Sequence, residues 1–414
     1  MTQWITQVRP WGGALVDIAI AGWITQVRPW GGALVDIAIA DGRIVELSPP
    51  AHRASDAVLL AGEGQLMLPP LVEAHAHFDK TLWGEAWHSH TAGNSLGQRI
   101  DNERATLRGI DTPIEERASA LIRECISHGS LHFRCHVDVD AQLGTRHLQA
   151  MQRVREAFGD LIDMQFVAFP QTGLLRDPDT AGALEQALLL GAENVGGLDP
   201  CGIDNDPIAH LTRVFELASA HQRGVDIHLH DEGELGLWQI ERIIDFTERY
   251  RLQGRVMVSH AFCLGQARPA RLQAIAERLA NQRISILSTA PADIEVPPFM
   301  ALAAQGVNLC LGSDGIRDSW SPMGNGDMLE RAMLLAFRFN LRRDDEIAAC
   351  LQAATQNGAR ALGLAHYGLE PGCNASGVLM PVRNVAEAVV SRNYRRSVIS
   401  KGRLLARDGH YLAH

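Results

Sequence analysis

Clustered basic charge is the first thing this chain lacks. No Lys/Arg-rich stretch occurs and the formal net charge is −10, which argues against nucleic acid as a partner. The 7 cysteines are scattered, with no Cys-x-x-Cys pair. Neither a disulfide framework nor a thiolate zinc site is therefore indicated, and reduced thiols in a cytoplasmic protein are expected. No apolar run approaches the roughly 20 residues of a membrane span, so no membrane partner is expected, and the N-terminus lacks the basic-then-apolar layout of a secretion signal. The Pro-Cys-x-x-Cys signature of the small zinc deaminases that act on nucleic acids is missing too. What remains is a globular composition, 46% apolar and 21% charged over 414 residues. That length accommodates one large α/β barrel with an appendage, or two ordinary domains.

Against that background one motif stands out. The apolar run 64–72 leads into His75-Ala-His77, followed by Phe-Asp79-Lys80. Strand side chains alternate with period two, so two histidines one residue apart point to the same side. Two imidazoles converging at the end of a buried strand make half of a first-row metal site. Further donors close other apolar segments: His228 in VDIHLHDEG, His260 in RVMVSH and Asp314 in VNLCLGSD. An isolated His pair is as often structural as ligating; the whole set points to a metal-dependent hydrolase.

From 65 to 314 short apolar runs alternate with amphipathic stretches. Strands are expected at 66–77, 131–139, 163–169, 194–199, 225–230, 255–260, 284–288 and 307–314. Helices are expected at 114–128, 147–158, 181–190, 208–221, 237–250 and 269–282. Eight near-continuous apolar strands with helical crossovers predict a parallel (β/α)8 TIM barrel, an α/β fold whose chemistry gathers at the carboxyl ends of the strands. The donors fall at the ends of the first, fifth, sixth and eighth runs. Both flanks carry hairpin-like strands, DGRIVEL near the start and AVVSRNYRRSVISKGRLLA near the end. They are expected to meet in a small β-sandwich domain, giving segments 1–64, 65–366 (the catalytic barrel) and 367–414.

The segment WITQVRPWGGALVDIAIA occurs twice without a difference, at 4–21 and 23–40. Structural repeats diverge and need about three copies to stack. Only the second copy runs into Asp41-Gly42 and the strand-like RIVEL, a hairpin signature. The second copy is read as native in register and residues 1–22 as surplus.

The ordered series LPPLVEAHAHFDK, RCHVDVD, DMQFVAFPQTG, VGGLDP, VDIHLHDEG, RVMVSHAF and LGSDGIRDSWSPMGNGDM resembles the cytosine-deaminase-like branch of the amidohydrolase superfamily, from about residue 36 to the end. Within that branch the triazine-degrading members are more similar than cytosine deaminase itself. The resemblance implies a metal-containing barrel joined to a β-sandwich built from both termini. It implies His75, His77, His228 and Asp314 as ligands of one divalent ion, zinc or iron, with Asp314 also accepting a proton from the activated water. His260 would hold that water or polarise the leaving group. The fourth strand supplies no Lys, so a single ion is expected. Cytosine deaminase carries Glu three residues after the fifth-strand His, where this chain has Asp231, and Thr where it has Lys80. His230 and Lys80 match the proton-transfer groups of the triazine branch. Gln171 is expected to bond the ring amide, Trp320 to wall the ring, and Asp199 to meet the substrate or the leaving amine.

Plainer roles are expected elsewhere. His136 and Asp138 are read as structural supports of the site, Lys80 as a candidate for simple pairing with a nearby carboxylate, and the turn 324–327 as a helix cap. The partner implied is a small N-heterocyclic substrate, with self-association left open. The reaction implied is hydrolytic removal of ammonia or an amine from an amino-substituted pyrimidine, pterin-like ring or s-triazine. Opening of a cyclic amide is the alternative.

Overall fold

The structure, a computed structural model, describes residues 3–8, 16–20, 22–53, 57–91, 93 and 96–412. Each apolar run becomes a strand: Leu71–Ala76, Ser130–Asp138, Asp163–Phe169, Asn194–Leu198, Gly224–Leu229, Val256–His260, Ser285–Ser288 and Asn308–Leu311. They pair in sequence order in an 8-stranded parallel sheet. An isolated parallel bridge between Ala76 and Asp314 joins the last strand's end to the first, as the predicted barrel requires.

The seam between first and eighth strands is tight. Asp314 N donates to His75 O at 2.9 Å, and Glu73 Oε1 accepts from Ser313 N at 2.8 Å. A Cβ on Gly312 would lie 2.6 Å from His75 Cβ and 2.7 Å from His75 O. Only glycine permits that approach.

The crossover helices are Ile114–Ser127, Arg146–Phe158, Thr180–Leu189, Pro207–Ala220, Gly233–Arg249 and Pro269–Asn281. Local chemistry sets their starts. Pro207 opens its helix at a position where a missing N–H costs nothing, and Asp206 caps it by accepting from Ala209 N. Three elements without a sequence-based expectation follow the eighth strand: Met328–Arg338, Asp344–Ala353 and Gln356–Leu362. A further helix, Leu96–Arg108, fills the long insertion after the first strand. Asp327 caps Met328–Arg338 by accepting from Leu329 N, the role expected of the 324–327 turn.

Two expectations need correction. The run 66–77 is two strands, because Pro69-Pro70 breaks it. Leu66–Leu68 leaves the barrel and pairs with Gly377–Met380 and with Gly22–Pro29. The stretch beginning AVV is the helix Val385–Ser391, started by Asn384, which accepts from Glu387 N. Only the later part forms the hairpin of Ser397–Ser400 and Arg403–Arg407.

Both chain ends contribute to a second, 9-stranded mixed sheet. Gly22–Pro29 is its hinge: one part pairs with Val35–Ala40 and Val58–Ala61, and its end pairs with Leu66–Leu68. The two arms bury one core that includes Ile24, Ile37, Ile44, Met67, Leu379 and Ile399. Asp41 and Gly42, at φ 48° and 70°, make the expected two-residue turn into Arg43–Ser48. The first copy of the repeated segment forms a ladder of its own: among the described residues Gln3–Val8 pairs only with Val16–Ile20, in a separate 2-stranded sheet, and Val16–Ile20 lies close to Val35–Ala40. Its residues 9–15 and 21 lie outside the described set. No helix among the described residues is long and apolar enough to cross a membrane.

Candidate active site

The carboxyl ends of the barrel strands bring the predicted donors together. One ligand atom each from His75, His77, His228 and Asp314 lies within 4.8 Å of all the others. Asp314 Oδ1 is 3.2 Å from His77 Nε2 and 3.6 Å from His75 Nε2, while its Oδ2 lies 4.0 Å from His260 Nε2. His228 Nε2 is 3.4 Å from His77 Nε2. Three residues at strand ends, Asp199, His260 and Asp314, adopt positive φ of 36°, 70° and 63° without being glycine. Such backbone is uncommon for residues with a Cβ and is held here by the surrounding packing.

The donor set fits a divalent cation. Burial lowers the pKa of His77 and carries those of His228 and His260 well below the imidazole range, with neighbouring positive groups adding to the effect. These rings are neutral near pH 7, their lone pairs available. Burial opposes charge on Asp314, but His75 and His77 hold its carboxyl well below the usual carboxylate range. The buried His75 Nε2 and His260 Nε2 have no hydrogen-bond partner among the described residues, a costly arrangement for a site without a cation.

Neighbouring side chains orient the candidate ligands. His75 Nδ1 lies 2.9 Å from Ser259 Oγ, which donates to Asp226 Oδ1 at 2.8 Å. That chain fixes which ring nitrogen of His75 turns to the site. His136 packs on His75 with ring centroids 3.8 Å apart.

A cavity of about 550 Å³ opens above the donors, in the usual range for a small-molecule site. His77, Lys80, Phe169, Gln171, His230 and Trp320 are among its lining. His230 lies over His260 with ring centroids 4.4 Å apart, and its Nδ1 is 2.8 Å from Asp199 Oδ2. Burial opposes protonation of His230, but Asp199 outweighs it and raises the pKa above the usual imidazole value.

Two predicted site residues are placed differently. Asp231 does not line the cavity: its Oδ2 accepts from Gly202 N at 3.0 Å and from Gln239 Nε2 at 2.9 Å. Asp199 is buried beside His230, is not among the cavity's lining, and also accepts from the His230 backbone N at 2.6 Å, so its carboxylate supports that ring.

The sequence reading missed Glu103. It sits on Leu96–Arg108, is 1% exposed, lies 3.3 Å from Lys80 Nζ and accepts from Trp320 Nε1. Asp138 Oδ1 is 3.1 Å from the same ammonium. Burial pushes the Glu103 carboxyl up to about 7 against the pull of Lys80, and burial also raises Asp318 to about 6.

Comparisons with known proteins agree with this geometry. Residues 114–406 match the amidohydrolase family Amidohydro_3. The chain is 31% identical to N-isopropylammelide isopropyl amidohydrolase of Pseudomonas sp. (strain ADP), over 84% of this chain and 87% of that protein. The crystal structure of N-isopropylammelide isopropylaminohydrolase from Burkholderia multivorans matches with TM-score 0.90 and 39% identity, covering 94% of this chain and 99% of that one. That of 5-methylcytosine deaminase from Klebsiella pneumoniae, liganded with 5-fluorocytosine, matches with TM-score 0.82 and 27% identity, covering 95% and 99%.

Proposed function

This chain belongs to the amidohydrolase family, and on that premise we propose that it hydrolytically removes ammonia or an amine from an amino-substituted N-heteroaromatic ring. Hydrolysis at a carbon–nitrogen bond is the activity at family level. The finer reading places the substrate among pyrimidines, pterin-like rings and s-triazines. Relatives named for ammelide and 5-methylcytosine substrates support it. The observation that carries it is the convergence of His75, His77, His228 and Asp314 beneath a cavity of about 550 Å³ that a single substituted ring can occupy.

These four residues would hold one zinc or iron ion, their nitrogen and oxygen donors suiting either metal. When bound, such an ion supplies Lewis acidity that brings the pKa of a water from 15.7 to about 7. The protein's own groups do the rest. Asp314 uses Oδ1 toward the histidines and keeps Oδ2 toward His260, so one carboxylate both anchors the site and takes a proton from the attacking water. His230, where burial opposes protonation but Asp199 raises the pKa above the usual imidazole value, stands at the cavity wall to give a proton to the departing amine. Water adds at the ring carbon bearing the amino group, the carbon–nitrogen bond breaks, and the amine leaves with the added proton. Phe169 and Trp320 flank the space for the ring.

The test is an ammonia- and amine-release screen with metal-loaded enzyme over aminopyrimidines, pterins and triazines, with cyclic amides alongside. Amine release from at least one aromatic class is expected. Ring opening of a cyclic amide with no amine release from any aromatic ring would overturn the proposal.

A further inference from the structure

Three oxygen atoms surround the Lys80 ammonium: Gln171 Oε1 at 2.7 Å, Asp138 Oδ1 at 3.1 Å and Glu103 Oε2 at 3.3 Å. Lys80 is 3% exposed, Asp138 1% and Glu103 1%. A lysine has donors and no acceptor, so the Gln171 atom facing Nζ is its carbonyl oxygen, and the amide NH₂ is left for the cavity that Gln171 lines. Two buried carboxylates around one ammonium hold it charged. A lysine so held is a poor proton donor.

Glu103 comes from elsewhere in the fold. Lys80 follows the first strand, Asp138 ends the second and Gln171 follows the third; Glu103 arrives on the insertion helix Leu96–Arg108. The oxygen that faces Lys80 is also the acceptor for Trp320 Nε1, on the loop after the eighth strand. The same two loops meet again where Thr81 Oγ1 donates to Ile316 O at 2.8 Å and Leu82 N to Arg317 O at 2.7 Å.

Resting on the ring-hydrolase reading above, we infer that Glu103 is a positioning residue which, through Lys80, fixes the Gln171 amide with its NH₂ toward the substrate. Lys80 is then a charged hub, and proton transfer falls to Asp314 and His230. The site so arranged selects rings that offer an acceptor at this point, a carbonyl oxygen or an unprotonated ring nitrogen, over rings that offer only a donor there.

The chain contains two lysines, Lys80 and Lys401, which makes the hub directly observable. In metal-loaded, full-length protein labelled with 15N-lysine at pH 8, Lys401→Arg assigns the Lys80 ammonium signal. Its protons should exchange with water slowly in the parent, and Glu103→Gln should speed that exchange by about tenfold or more as one charge-assisted partner is lost. Glu103→Asp keeps the charge and should retain much of the protection; it carries the comparison if Glu103→Gln does not fold. In turnover, Glu103→Gln should lower kcat/KM by about 10–100-fold without loss of metal. In a Gln171→Ala background the same change should cost no more than about twofold, since the two act as one unit. Unchanged Lys80 exchange, or fully additive losses, overturns the inference. If the parent turns over no heterocycle, the proposed function fails, and the exchange measurement still decides the hub.

Discussion

Ala76 and Asp314 pair across the seam of the barrel, and Ala76 sits between the two histidines whose ring nitrogens lie within 3.6 Å of the Asp314 carboxylate. Barrel closure and assembly of the proposed metal site are one structural event. The backbone bond Asp314 N to His75 O, the Glu73–Ser313 bond and the Gly312–His75 contact all lie within a few residues of the ligands.

Elemental analysis should therefore find about one zinc or iron ion per chain, and chelation should abolish turnover while lowering the melting temperature. An ion that binds only the folded state stabilises it by about 2.7 kcal/mol at a hundred times its Kd. Two ions per chain, or full activity in metal-free protein, would contradict the mononuclear site.

Asp314→Asn should keep part of the metal and lose turnover by about 10²–10⁴-fold or more, the range of a general base. His230→Gln should keep all of it and lower kcat more than KM. If extra metal restores the rate of the His230 variant, His230 supports the ligands and does not donate a proton. Metal content and kcat measured on the same preparations separate these outcomes.

Deleting residues 2–21 should change unfolding free energy by less than about 1 kcal/mol and leave turnover intact, whereas Gly22 already pairs with Ile39 in the larger sheet. Among the described residues Gln3–Val8 pairs with Val16–Ile20 and with no strand of the larger sheet, which Val16–Ile20 approaches only at Val35–Ala40. A large loss in either measurement would show that the first copy belongs to the working fold.

Arg396, 1% exposed, donates to Asp327 Oδ1 at 2.7 Å and Oδ2 at 2.8 Å, and to His128 O at 2.7 Å. Arg396→Met would strand a buried carboxylate and should cost about 3–5 kcal/mol. Burial opposes charge on Asp327, but Arg396 overrides it and lowers the pKa. A folded pKa below the unfolded value near 3.9 gives stability that is complete above that value and is lost as pH falls through the folded one. Urea unfolding from pH 6 to 3 should show a constant advantage of the parent over Asp327→Asn down to about pH 4, shrinking below it. An advantage that grows on acidification would refute the pairing.

The barrel was legible because each strand is a short apolar run with a polar residue where the chain leaves the core, and because side chains able to ligate a metal close four of those runs. Burial by helices on every side gives parallel strands that continuous apolar character. Local signals not weighed explain the misplacements. Pro69-Pro70 marks a break inside 66–77, and Asn384 with Glu387 three residues on has the spacing of a helix start. Glu103 is a different case. Its helix is rich in charge, and a carboxylate in such a segment reads as solvated. Its partners Lys80 and Trp320 lie far away in sequence, so burial could be known only from the folded chain. Asp231 was placed by its spacing from His228, but a side chain just past a strand end follows the loop it enters, and here it turns to Gln239.

Because the histidine pair of the first strand is completed by a carboxylate beyond the eighth, a ribosome finishes the two halves of the seam far apart in time. At about 5–20 residues per second, Asp314 emerges roughly 10–50 s after His77. Through that interval His75 and His77 lack the carboxylate that joins them and His228 in the folded protein. The four-donor arrangement thus comes into being only once the eighth strand has been made.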